Sequence, residues 1–134
     1  MTKIIDIEGI GPAYANKLIG KGIKTVEALL KKGATSKGRE EISKETGISH
    51  KEILEWVNRA DLYRIKGVGA QFSDLLENAG VDTVVELSKR DAQHLTKAMA
   101  DFNAKRKVVR RLPTEKEVSG WISQAKKLPR VVSY

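Results

Sequence analysis

Apolar residues in this chain return at helical spacing, three or four apart, and no segment calls for a sheet. Tyr14 and Leu18 stand four apart, and Val26, Ala28, Leu29 and Leu30 follow them. Ile53, Trp56, Val57 and Ala60 form a core stripe, as do Leu95, Ala98, Met99 and Phe102, and again Val118, Trp121, Ile122 and Ala125. The polar residues between them punctuate helices. Ile4, Ile5 and Ile7 predict a short apolar helix or turn. A helix over 12–21 has Pro12 in its first turn, where a missing amide costs least, and Gly22 as a left-handed cap. Thr25 opens the next, closed by Gly33, and Ser36 opens a polar helix that runs to Gly47 and lies mostly in solvent. Ser49 with Glu52, Thr83 with Glu86 and Thr114 with Glu117 read as capping boxes. A helix is read from about 91 to 101, and the chain continues into 105–112 until Pro113 stops it.

The pattern repeats. A shift of 58 positions lays Gly9 on Gly67, Gly11 on Gly69, Tyr14 on Phe72, Leu18 on Leu76, Gly22 on Gly80, Thr25 on Thr83 and Leu29 on Leu87. The two tryptophan stripes match at a shift of 65, so about seven residues entered the second copy, within 99–112. Residues 128–132 resemble the lead-in at 62–65, as though a further copy began and stopped. The expected division is one repeat over 1–61 and another over 62–134. Each repeat opens on two glycines one residue apart. Such a turn can leave amides bare at a helix N-terminus, where they hold a phosphate, or it can simply connect two helices.

Charge narrows the choice of partner. The 134 residues carry a formal net charge of +8, which favours a polyanion. Residues 1–32 hold six basic against three acidic side chains, and 105–130 hold nine against two. Residues 67–104 reverse the balance, with three basic against six acidic. Lys17, Lys21 and Lys24 can serve the first turn with a phosphate backbone, whereas Asp74 and Glu77 oppose it at the second. Lys105, Arg106, Lys107, Arg110 and Arg111 make five basic residues in seven with no acid between them, either a phosphate-facing ridge or a solvated face. Cysteine is absent, which excludes disulfides and thiolate metal sites and points to a reducing, cytoplasmic setting. No signal peptide or spanning segment is visible. His50 and His94 lack partner spacing for a metal or a nucleophile, so no catalytic residue, metal or cofactor is expected and the chain is not read as an enzyme.

The unit apolar-x-Gly-apolar-Gly, then a helix ending in Gly-[Ile/Val]-x-Thr, resembles the helix-hairpin-helix motif. With Thr35 to Ile42, the run from Trp56 to Gly67, and Val109 to Pro113, nearly the whole chain resembles a bacterial family of paired helix-hairpin-helix proteins, domain of unknown function 4332. The resemblance implies an all-α fold of the SAM/HhH-like kind, with two tandem repeats packed as one compact unit. It also implies a grip on the DNA sugar-phosphate backbone that reads no bases, through Gly9, Ile10, Gly11 and Ala13 and through Gly67, Val68, Gly69 and Gln71. DNA-gripping members often carry Lys or Arg two places after the second glycine, where this chain has Ala13 and Gln71. The Gly-Pro-Asp signature of the glycosylases that share the motif is not met, since Ala13 follows Gly11 and Pro12. The expectation is non-sequence-specific DNA binding, with neither a membrane nor a small-molecule substrate as partner. The alternative is a protein-interaction scaffold that uses the hairpin surfaces, favoured by the acidic second turn.

Overall fold

Helices begin where a threonine, serine or aspartate side chain caps the first turn or a bare glycine precedes it, and eight α-helices result, with no strand among the described residues. The computed structural model describes residues 2–107 and 109–134. It divides into two compact units, Met1–Asp61 with Val131–Tyr134, and Leu62–Arg130. The last four residues, placed by the sequence division with the second repeat, therefore belong to the first unit.

In the first unit a 3-10 turn, Ile4–Asp6, leads to α1 (Pro12–Gly20), α2 (Val26–Gly33), α3 (Ser36–Thr46) and α4 (His50–Leu62), whose final residue belongs to the second unit. An isolated antiparallel bridge joins Lys3 to Thr25. Ile4, Ile7, Leu18, Val26, Leu29, Ile42, Ile53 and Val57 are buried. The Thr25 hydroxyl accepts from the Ala28 amide at 3.1 Å. The cap of α3 is Thr35, not Ser36: Thr35 is the extended residue, and its hydroxyl takes the Gly38 amide at 3.1 Å.

Although α3 is polar, it buries Ile42 and Arg39. Arg39 is 1% exposed and donates to the carbonyls of Gly33 (2.7 Å), Ala34 (3.2 Å) and Ser133 (2.7 Å). Burial lowers its pKa below the usual guanidinium range. The end of the chain closes over it. Val132 is buried, the Ser133 amide donates to Ala34 O at 2.8 Å, and the Tyr134 ring lies 5.9 Å from the guanidinium carbon. Residues 131–134 thus form a strap over Arg39.

The second unit holds α5 (Ala70–Asn78), α6 (Val84–Ser88), α7 (Ala92–Arg106) and α8 (Glu115–Lys127). α8 packs on α6 and α7, and α5 packs on α7, around Leu76, Leu87, Leu95, Met99, Val118 and Ile122. The helix read from sequence over about 91–101 runs on to Arg106, and Lys107 turns left-handed at φ 44°. Val109 explains the exit. It is 6% exposed, and its N–H and C=O are both met by the Asn103 side-chain amide, at 3.0 and 3.1 Å, so it can reach the core with its backbone satisfied. The capping box at Thr114 and Glu117 is complete. At Thr83 only half of it forms, since the Glu86 carboxylate turns to Arg90 Nε at 3.3 Å.

Candidate functional site

Both glycine turns close with the same backbone hydrogen bond. The Ile10 amide donates to Ile7 O and the Val68 amide to Ile65 O, each at 3.1 Å. Gly9 has φ 96° and Gly67 has φ 95°, a region that favours glycine. A tryptophan stands behind each. A Cβ on Gly9 would lie 3.2 Å from Trp56 Nε1, and one on Gly67 would lie 3.0 Å from Trp121 Nε1. Each indole also meets the ring that starts the following helix, Tyr14 with Trp56 at 5.1 Å and Phe72 with Trp121 at 5.3 Å between centroids. The tryptophan stripes read from sequence as core are core, each tryptophan being 3% exposed.

A second clamp was not legible beforehand. Three residues past each tryptophan, Arg59 donates to Glu8 O at 3.1 Å, and Gln124 Nε2 donates to Lys66 O at 3.2 Å. Gln124 Oε1 also takes the Lys66 amide at 2.9 Å. The same turn carbonyl is gripped in both units by different chemistry, which a search for matching residues passes over.

The second glycine of each pair behaves unlike the first. Gly11 (φ −84°) and Gly69 (φ −112°) lie in conformations open to any residue, and a Cβ on either would meet nothing within 4 Å. Each is an N-cap with no side-chain acceptor for the first-turn amides, at the head of a nine-residue helix. Pro12 takes one amide out of the first turn, so Ala13 and Tyr14 present theirs; Ala70, Gln71 and Phe72 do so in the second. Fold alone gives no reason for glycine here, while a group that approaches the backbone does. Of the other residues singled out from sequence, Ile10 and Val68 are buried and can offer only backbone, whereas Ala13 and Gln71 are exposed.

The surrounding charge differs between the units. In the first unit Lys17, on α1, and Lys21 and Lys24, which follow its C-terminal end, are all exposed. In the second unit Lys105 and Arg106 close α7, Lys107 makes its left-handed cap, and Arg110 is exposed after the break, so no continuous helical ridge forms. Arg111 stands apart from these four. Its two terminal nitrogens donate to the Glu117 carboxylate at 2.8 and 3.1 Å, and its guanidinium carbon lies 5.7 Å from the Phe72 ring centre. That hydrogen bond and the Thr114 amide hold the Glu117 carboxyl at about 2, below its ordinary 4.5.

Among the described residues no three His, Cys, Asp or Glu side chains gather as a metal site would require, and no helix is long and apolar enough to cross a membrane. His94 is exposed beside Asp91, and His50 is exposed at the first position of α4. Residues 8–128 match a family described as a domain of unknown function (DUF4332). No curated protein and no solved structure matches the chain.

Proposed function

The chain belongs to the DUF4332 family, whose description carries no activity, and from that starting point we propose that it is a non-enzymatic, cytoplasmic DNA-binding protein of the helix-hairpin-helix kind. It grips the sugar-phosphate backbone without reading bases. One observation carries the reading: Gly11 and Gly69 are glycines that neither φ nor crowding requires, each set before a helix whose first amides lack a side-chain cap. A phosphate oxygen seated there accepts those amides and meets the positive end of the helix dipole. Lys17, Lys21 and Lys24 supply charge beside the first turn, while Lys105, Arg106, Lys107 and Arg110 neutralise phosphates from the second unit. Arg111 contributes less than its sequence position implies, because Glu117 already occupies its fork.

A labelled DNA duplex titrated across a salt series tests this. With four to six phosphates neutralised, the logarithm of the binding constant should fall with a slope of about −4 to −5 against the logarithm of salt concentration. Replacing Lys105, Lys107 and Arg110 with Ala should flatten the slope by about 3. Absence of binding at low salt sinks the proposal.

A further inference from the structure

The first unit carries an apolar groove of about 190 Å³ that shares Lys24 with the proposed phosphate contacts but is lined mainly by apolar side chains. The 3-10 turn and α1 form its walls, with Ile5, Pro12, Ala15 and Ile19 lining it and Lys3 and Lys24 at its border. Ile5 and Ile19 are 44% and 42% exposed, so two of the large apolar side chains left in water share one hollow. The chain segments bearing the two lysines are held side by side, since the Ile4 amide donates to Lys24 O at 3.3 Å and Lys3 bridges to Thr25. No acidic residue lines the groove.

The second unit shows that the fold does not require this surface. At the positions 58 further on, Ile5 is replaced by Tyr63, Ile19 by Glu77 and Lys24 by Asp82, while the core positions Leu18 and Leu76 stay the same. Residues kept in both copies build the helices; those that differ only in the first copy make an apolar slot with a positive border.

We propose that this groove docks an acidic amphipathic helix of another protein, its apolar residues filling the slot between Ile5 and Ile19 and its carboxylates meeting Lys3 and Lys24. The volume falls short of the roughly 300–1,000 Å³ of a small-molecule pocket and suits protruding side chains. Among the described residues there is no strand whose edge could pair with an extended peptide, so the occupant must satisfy its own backbone, as a helix does. The slot suits branched aliphatic side chains, whereas the amides at Gly11 suit a phosphate oxygen.

The probe is a synthetic helix of about 16 residues, long enough to hold helical structure, with leucines at one-face spacing flanked by glutamates. It is titrated into the isotope-labelled full chain and followed by amide chemical shifts. Saturable shifts confined to the neighbourhood of Ile5, Asn16, Ile19 and Lys24 are expected. Ile19→Glu, which installs the residue found at the equivalent place in the second unit, should weaken binding about tenfold or more with the remaining spectrum unchanged. Lys3→Glu combined with Lys24→Glu should do the same by removing the charge and leaving the slot. The proposal is overturned if no shift saturates by about 1 mM peptide, if a lysine-for-glutamate or scrambled peptide binds equally well, if Ile19→Glu binds as the parent does, or if a DNA duplex produces the same shifts at Ile5 and Ile19. Loss of duplex binding with peptide binding intact rejects the DNA reading alone.

Discussion

A glycine with positive φ backed by an indole and a glycine with ordinary φ facing open space answer to different demands, and substitution separates them. Gly9→Ala places a Cβ against Trp56 in a left-handed conformation and should cost about 1–2 kcal/mol, read as a lowered midpoint in urea unfolding. Gly11→Ser meets neither obstacle. Its hydroxyl can take a first-turn amide, so the midpoint should hold or rise by a few tenths of a kcal/mol, roughly the gain of a serine cap over glycine. Affinity for duplex should nevertheless fall about tenfold, since the added side chain fills the place of the phosphate. A Gly11→Ser chain that binds DNA as the parent does would leave that glycine without a binding role.

At the scale of the element, the start of α8 shows how a helix end becomes sensitive to acid. Glu117 is held at about 2 because Arg111 and the Thr114 amide donate to its ionised form. A carboxyl depressed on folding adds stability in full above its unfolded value near 4.5, and this is lost as pH falls toward 2. The Thr114 and Glu117 amides should therefore lose hydrogen-exchange protection across that window, and Glu117→Gln should remove the transition. The helices themselves were legible because their signals are local: α8 begins 65 residues after α4 begins and ends 65 after it ends, and the threonine caps announce themselves. What escaped was set by distant packing. The end of α7 at Arg106 is set by Val109 reaching the core, and the diversion of Arg111 depends on a glutamate six residues further on in α8. Neither burial nor pairing is written in a run of basic letters. The clamps by Arg59 and Gln124 escaped because one carbonyl accepts from either side chain; Gln124→Ala, which removes two hydrogen bonds, should cost about 1–2 kcal/mol in urea unfolding.

For the whole molecule, a formal charge of +8 is spread unevenly, and one of its cations is buried. Arg39 donates to three carbonyls, and one of these, Ser133 O, comes from 94 residues along the chain. A buried guanidinium that loses a hydrogen bond is costly. Ser133→Pro deletes the amide that holds the strap to Ala34 and should destabilise the first unit by roughly 1–3 kcal/mol. Hydrogen exchange can localise the loss, with α3 amides opening before those of α8. Equal opening in both would separate the strap from the stability of the first unit.

The strap also sets an order of events in translation. A ribosome delivers residues 1–61 first, yet the segment that closes over Arg39 emerges only after the 69 residues of Leu62–Arg130 have been made. The nascent first unit must therefore wait, its arginine uncovered, for the time that synthesis at about 5–20 residues per second requires. The half that is begun first is the half that is finished last.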